Sequence, residues 1–165
     1  GYKENNGPFV IRYPRGKGEM ADWRNEMHVL PIGKGKKLRD GDDIAILSLG
    51  PIGNEVIKAI KEIEGDGISI AHYDMIYLKP MDEELLHEVG KKFSRIITVE
   101  NGVIRGGLGS AVLEFMADNG YTPKIKRIGV PDEFVEHGPI SELYKLCGMD
   151  AKCIAEEIKK MVIGG

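Results

Sequence analysis

Between residue 42 and the C-terminus, short apolar runs alternate with longer amphipathic stretches. The apolar runs lie at 43–50, 68–78, 95–100 and 124–130. The first of them has almost no polar residue, as a strand covered on both faces requires. The stretch that follows it repeats apolar residues at helical spacing, at Val56, Ile57, Ile60 and Ile63. The alternation predicts an open, mainly parallel sheet with helices on both faces, a three-layer α/β fold.

Several of the amphipathic stretches carry residues that start and stop helices. Asp82 precedes a stretch with acids in its first turn and lysines in its last, which predicts an N-cap. Pro51 and Gly65 are suited to open and close the first helix. Asp150 is a second predicted N-cap, in front of a helix whose apolar stripe is formed by Ile154, Ile158, Met161 and Val162.

The segment before residue 42 lacks this alternation. Residues 19–41 are rich in charge and glycine, and the GKGKK run at 33–37 suits a small surface hairpin within a linker. Residues 7–18 place an apolar run directly before two arginines, Arg12 and Arg15. Taken alone, these arginines are most simply the solvated charges of a strand end.

Composition excludes several classes of function. The 165 residues carry a net charge of −3, which gives no general affinity for nucleic acid or for an anionic membrane. No apolar run is long enough to cross a membrane, and the N-terminus lacks a signal-peptide pattern, so we expect a cytoplasmic protein. Cys147 and Cys153 have no CxxC spacing and no matched histidines, and are expected to be half-buried thiols.

A glycine-rich turn at 106–109 opens a predicted helix and has the form of a phosphate-binding turn. Its pattern is G-x-G-x-x-V, and residues 101–105 separate it from the preceding strand, whereas a dinucleotide fingerprint needs a tighter turn. The favoured interpretation is that Gly106 and Gly107 let the helix approach the sheet or another chain closely.

The remaining candidates do not form a catalytic set. None of the histidines pairs with another at metal-ligand spacing; His72 is expected to be a satisfied strand residue and His87 a surface residue. Glu136 and His137 lie in a loop between two prolines, where a plain loop is the simpler interpretation. We therefore predict no catalytic residue and no metal ligand in this chain.

Six short motifs, taken together and in order, carry more information than any one of them. Their order and spacing resemble the C-terminal part of the 1-deoxy-D-xylulose-5-phosphate synthase family, from about residue 8 to about residue 162. The helix and sheet pattern is shared by transketolase-type C-terminal domains in general, but these motifs resemble the synthase family more specifically. They are IRYPRG, PIGKGKKLRDGDDIAILSLG, YDMIYLKPMDEELL, VENGVIRGGLGSAVLE, IGVPDEFVEHG and SELYKLCGMDAKCIAEEI.

The resemblance implies a function for a longer parent enzyme. That enzyme condenses pyruvate with D-glyceraldehyde 3-phosphate, releases carbon dioxide, and uses thiamine diphosphate and magnesium in synthesis leading to isoprenoids, thiamine and pyridoxal. The resemblance also implies that two earlier domains hold the cofactor, so none is expected in this chain. By this comparison residues 1–18 are the last strand of a pyrimidine-binding domain, 19–41 a linker, and 42–165 a transketolase C-terminal-like domain.

The same resemblance assigns a role to the two arginines. Arg15 is implied to contact the phosphate of glyceraldehyde 3-phosphate, a task that suits a planar guanidinium fork that stays charged. Pro14 restricts the backbone beside it. Arg12 is a second, weaker candidate, with pairing to a carboxylate elsewhere as its alternative. The chain alone is expected to be inactive, to support dimerisation and the active site, and to expose apolar surface meant for its partners.

The sequence departs from the family pattern at two places, and two alternative functions are also compatible with it. Ile76 stands where the family commonly has an arginine, and ENGV at 100–103 lacks one carboxylate of the family pattern, so the family's usual contacts of the loop around Asn101 are not carried over to this chain. One alternative is a stand-alone module that binds a phosphorylated metabolite through Arg12, Arg15 and residues 106–109. The other is the C-terminal domain of a 2-oxo acid dehydrogenase β subunit.

Overall fold

The computed structural model describes residues 7, 8, 10, 13, 24 and 28–164. In this part of the chain five strands form one sheet: β1 (Lys36–Arg39), β2 (Ile44–Leu49), β3 (Ile70–Asp74), β4 (Arg95–Val103) and β5 (Lys124–Val130). Their order across the sheet is β1-β3-β2-β4-β5. Strands β2 to β5 run parallel, and β1 is the antiparallel edge strand beside β3.

Five α-helices cover the two faces of this sheet: α1 (Gly53–Glu62), α2 (Glu83–Lys92), α3 (Leu108–Asp118), α4 (Ile140–Leu146) and α5 (Ala151–Ile163). Helices α1 and α5 pack on one face, over a core that includes Ile46, Val99 and Ile158. Helices α2 and α3 pack on the other face, over Leu47 and Ile96. The predicted three-layer α/β fold is confirmed. None of the helices in the described residues is long and apolar enough to span a membrane.

Local capping explains where two of the helices begin. Asp82 accepts the Leu85 N–H at 3.1 Å, and Asp150 accepts the Cys153 N–H at 3.2 Å, so both predicted N-caps are confirmed. Helix α1 instead begins at Gly53 and ends at Glu62, followed by a short 3-10 turn. Gly67, with φ of 72°, takes the left-handed position after that turn, where we had expected Gly65 to close the helix.

Two side chains lie in surroundings that differ from the prediction. Ile57 is 40% exposed, because it sits about 100° around the helix from the buried Val56. His87 is not a solvated surface residue: its Nδ1 lies 3.0 Å from the Tyr121 hydroxyl, and its ring meets Phe115 edge to face. Helices α2 and α3 lie side by side on the same face of the sheet, and this neighbourhood half-buries the imidazole.

The segment before residue 42 contributes to the sheet. Strand β1 pairs with β3, and the chain then passes so close to Ile70 that a β-carbon at Gly41 would overlap the Ile70 carbonyl carbon. Residues 1–6 and most of 9–27 lie outside the described part of the chain, so the proposed division at residues 18 and 41 stays a prediction.

The Asp82 carboxylate bonds both to the residue just before β1 and to the start of α2, so its contribution to the free energy of unfolding can be tested. Its carboxylate is 7% exposed and accepts the N–H groups of both Leu85 and Gly35, the latter at 3.0 Å. Burial raises the pKa of Asp82, but these backbone bonds and Lys34 outweigh it and hold the pKa below its usual value.

Asp82→Ala is expected to lower the free energy of unfolding by about 2 kcal/mol, measured by urea denaturation. Asp150→Ala is the matched control, because the Asp150 carboxylate caps α5 by accepting the Cys153 N–H within its own helix, and its loss is expected to cost about 1 kcal/mol. Equal losses in the two variants would show that the bond to Gly35 contributes nothing.

Candidate functional site

Ligands of open parallel sheets bind beyond the carboxyl ends of two neighbouring strands whose following connections run to opposite sides of the pair. In this sheet that point lies between β2 and β4. The strand that follows β2 in the chain, β3, lies on one side of this pair, and the strand that follows β4, β5, lies on the other side. A cleft of about 390 Å³ opens there. It is lined by Leu49 at the end of β2, by Leu78, by residues 100–103 of β4, and by residues 105–107 of the loop that follows it.

The base of this cleft is organised by Glu100, a carboxylate that is only 3% exposed. Its two oxygens accept the N–H groups of Leu108 at 2.8 Å and Gly109 at 2.9 Å, at the start of α3. A β-carbon at Gly107 would overlap Glu100 Oε2, and one at Gly129 would lie 3.1 Å from Glu100 Cγ. Glu100 is thus an internal anion, held where a helix N-terminus favours negative charge.

This contact settles the role of the glycine-rich turn. The N–H groups at the start of α3 that a bound phosphate would use already donate to Glu100. Gly107 confirms the predicted close approach between helix and sheet, whereas Gly106, with φ of 72°, supplies a left-handed turn. The N–H groups of Leu108 and Gly109 are therefore not available to a bound phosphate, which disfavours a phosphate-binding role for the turn.

A second buried polar pair lies on the opposite face of the sheet. Ser48 Oγ and His72 Nε2 are 2.9 Å apart on neighbouring strands β2 and β3, and both residues are about 1% exposed. This confirms His72 as a satisfied strand residue. Burial lowers the pKa of His72 to about 4, so the imidazole is neutral at pH 7. Its side-chain partner among the described residues is the Ser48 hydroxyl, and both groups are enclosed within the domain, so the pair offers no base to an external substrate.

The turn after β3 carries backbone strain beside the cleft. Ile76 has a φ of 56°, which a β-branched side chain rarely adopts. Its N–H donates to Asp74 Oδ1 at 3.1 Å, and the Tyr77 N–H donates to the Met75 carbonyl, closing a γ-turn. This strained turn leads to Leu78 in the cleft wall.

The other predicted site residues have separate outcomes. Arg12 and Arg15 lie outside the described residues, so their assignment stays a prediction. Glu136 and His137 line an apolar cavity of about 380 Å³ next to the cleft, and Asn101 lines both spaces.

Cys147 and Cys153 are half-buried free thiols, as predicted. Hydrogen bonding by Asp150, with burial adding to it, raises the pKa of Cys153 to about 11, which keeps this sulfur protonated.

Residues 33–154 match the protein family described as "Transketolase, C-terminal domain". The chain belongs to the transketolase C-terminal domain family. A split-gene transketolase, described as an inactive β4 tetramer, matches it with a TM-score of 0.73 and 32% identity. That match covers 81% of this chain and 43% of the other.

Curated relatives of this transketolase C-terminal domain are named 1-deoxy-D-xylulose-5-phosphate synthase. The protein from Parabacteroides distasonis is 78% identical over 97% of this chain, and the one from Bacteroides fragilis is 59% identical over 94%. These matches confirm the family resemblance deduced from the motifs. The chain spans about a quarter of the length of either relative.

Sequence reasoning missed the role of Glu100 in this transketolase C-terminal domain, and it did not identify Ser48 as the partner of His72. Glu100 ends an apolar run and is followed by glycines at 102, 106, 107 and 109, which is the one pattern that could have pointed to an enclosed carboxylate. Nothing comparable marked Ser48 and His72, because they come from strands 24 positions apart.

Proposed function

We propose that this chain is the C-terminal part of a 1-deoxy-D-xylulose-5-phosphate synthase that condenses pyruvate with D-glyceraldehyde 3-phosphate and releases carbon dioxide. The observation that carries the proposal is the 78% identity over 97% of the chain to a protein of that name. The product would serve isoprenoid and thiamine synthesis. We further propose that the enzyme is a cytoplasmic homodimer.

Thiamine diphosphate and magnesium would be held by parts of the enzyme outside this chain. Across the described residues no three His, Cys, Asp or Glu side chains gather as metal ligands would. At the start of α3, the N–H groups of Leu108 and Gly109 already donate to the Glu100 carboxylate. The described residues therefore do not fit this cofactor, and we derive no catalytic step from them.

The chain's own role would be to support the active-site domains and the dimer, without turnover when isolated. The split-gene transketolase of similar fold is described as inactive as a β4 tetramer, which supports this role. Arg15, with Arg12 as a weaker second candidate, would contact the phosphate of the substrate.

The experiment uses the full-length enzyme, assayed for carbon dioxide release and sugar phosphate formation with thiamine diphosphate and magnesium. Arg15→Ala is expected to lower kcat/KM for D-glyceraldehyde 3-phosphate about 30-fold, since a charged hydrogen-bonding contact to phosphate contributes about 2 kcal/mol. Arg39→Ala is the matched control, because Arg39 lies exposed on the edge strand β1. It is expected to leave kcat/KM unchanged.

Two results would overturn the proposal. A full-length enzyme that does not condense the two substrates would reject the activity. Equal kinetics for Arg15→Ala and Arg39→Ala would reject the role of Arg15 alone. The stand-alone phosphate-binding module is disfavoured by the bonds of Glu100, and the dehydrogenase β subunit by the names of the curated relatives.

A further inference from the structure

The sequence contains three asparagines that are each followed by a glycine: Asn6, Asn101 and Asn119. Asparagine is a thermolabile residue, and a following glycine leaves its own amide nitrogen open to the asparagine side chain because glycine has no β-carbon. Asn6 lies outside the described residues, so the structure compares the other two. Both follow an acidic residue and both are exposed, so neither the preceding residue nor exposure separates them.

The pair Asn119–Gly120 is held in place at the end of helix α3. The Asn119 side-chain amide donates to the Phe115 carbonyl at 2.9 Å, and the Gly120 N–H donates to the Ala117 carbonyl at 3.1 Å. The first bond restrains the side-chain amide that an attack on its carbon would displace. The second bond occupies the backbone nitrogen that would make this attack. Both bonds must therefore open before the two atoms can react.

The pair Asn101–Gly102 lies at the end of β4, where regular strand pairing stops. The pairing with β2 ends at Glu100, and the pairing with β5 shifts register between Val99 and Val103. In the described sheet, neither residue of Asn101–Gly102 is paired with a residue of another strand. Among the contacts of the described residues, no hydrogen bond or ion pair holds the Asn101 side chain. The restraints that hold Asn119 are therefore missing at Asn101.

Asn101 lies where a new charge would change the surroundings of a cavity. It lines both the cleft of about 390 Å³ and the apolar cavity of about 380 Å³. The buried carboxylate of Glu100 and the exposed Arg105 line the same cleft. A carboxylate at position 101 would add a negative charge to the wall that the two spaces share, where the side chain is now a neutral amide.

We propose that Asn101 is a site of spontaneous deamidation, which converts the amide of this cleft residue into a carboxylate. The Gly102 amide nitrogen gives its proton to hydroxide and bonds to Asn101 Cγ. The Cγ–Nδ2 bond then breaks, and the nitrogen leaves as ammonia after taking a proton from water. Water opens the resulting succinimide ring at either carbonyl, which leaves aspartate or isoaspartate. Because only water and hydroxide take part, the reaction goes beyond the proposed function and does not depend on it.

Peptide mapping of the full-length enzyme after incubation at mildly alkaline pH tests this directly. Trypsin separates the two asparagines into peptides 96–105 and 106–124, because it cleaves after Arg95, Arg105 and Lys124. Mass spectrometry then measures deamidation of each peptide over time. Asn101 is expected to deamidate at least about tenfold faster than Asn119, since two hydrogen bonds must open at Asn119. The product in peptide 96–105 is expected to contain isoaspartate as well as aspartate.

The same enzyme unfolded in urea is the control for intrinsic reactivity. There the two asparagines are expected to deamidate at similar rates, because both are preceded by an acid and followed by glycine. Gly102→Ala is the matched variant, and it is expected to slow deamidation of Asn101 at least about tenfold while leaving Asn119 unchanged. An alanine β-carbon at position 102 would lie 3.3 Å from Glu100 Oε2, so a small shift accommodates it.

Three results would overturn the proposal. They are deamidation of Asn119 as fast as that of Asn101 in the folded enzyme, aspartate without isoaspartate in peptide 96–105, and an unchanged rate at Asn101 in Gly102→Ala. Condensation activity of the fresh enzyme tests the proposed function separately. An inactive enzyme that deamidates rapidly at Asn101 rejects only the activity, and an active enzyme with an unreactive Asn101 rejects only the modification site.

Discussion

Glu100→Leu is expected to lower the free energy of unfolding by about 4 kcal/mol, because it leaves two buried N–H groups of α3 without an acceptor at about 2 kcal/mol each. Those groups belong to Leu108 and Gly109, which bond the carboxylate at 2.8 and 2.9 Å. Water cannot easily replace the carboxylate, since the side chain is 3% exposed and glycines enclose it. Urea denaturation of the wild-type and variant chains measures the loss.

Glu100→Gln is expected to lower the free energy of unfolding by about 2 kcal/mol, a value between those of the wild-type chain and Glu100→Leu. The reason is that the amide oxygen of glutamine accepts only one of the two bonds well. Glu114→Leu is the matched control: Glu114 is an exposed carboxylate on the same helix, and its loss is expected to cost less than about 0.5 kcal/mol. A Glu100→Leu chain as stable as the Glu114→Leu chain would disprove the role of Glu100.

Gly107→Ala tests the same contact from the other side. A methyl group there would overlap Glu100 Oε2, so the variant is expected to displace the carboxylate and cost about 3 kcal/mol. In a Glu100→Ala background that overlap is relieved. The cost of Gly107→Ala is therefore expected to fall below about 1 kcal/mol, and strict additivity of the two substitutions would contradict the contact.

Stability of the chain is expected to fall by about 3 kcal/mol between pH 7 and pH 4 through His72 alone. The pKa of this imidazole is about 4 in the folded chain because burial disfavours its charged form, whereas the unfolded chain binds the proton near pH 6.5. Between these values the unfolded state binds more protons, so acid favours unfolding. The contribution of the neutral, buried His72 to the free energy of unfolding is complete above pH 6.5 and is lost as the pH falls towards about 4.

The measurement is the free energy of unfolding at pH 7, 6 and 5. His72→Gln is expected to remove most of the decline in this range, while His28→Gln, which alters an exposed histidine, keeps it. Carboxyl groups with a lowered pKa, such as Asp82, act mainly below about pH 4 and do not overlap with this window. A His72→Gln chain with the wild-type pH dependence would contradict the assignment.

Much of the fold could be predicted from the sequence, because each helix and strand is indicated by a pattern within a few adjacent residues. Apolar runs and helical spacing placed β2, α1 and α5, and Asp82 and Asp150 marked helix starts by bonds that span only three residues. Adding the ordered motifs identified the family before any contact was known. Helical spacing does not say how far each apolar residue is turned towards solvent, and the 40% exposure of Ile57 became known only from the packed structure.

The tertiary structure alone decided which polar groups meet inside the domain. Glu100 reaches α3 across eight positions, and Ser48 meets His72 across 24, because the parallel sheet brings strand ends together that the chain keeps apart. The antiparallel position of β1 and the half-burial of His87 likewise depend on neighbouring elements. Periodicity and capping are properties of a few adjacent residues, so the sequence by itself determined the elements and the family. Burial and hydrogen bonding between distant residues exist only after packing, so the organisation of the cleft was decided by the fold.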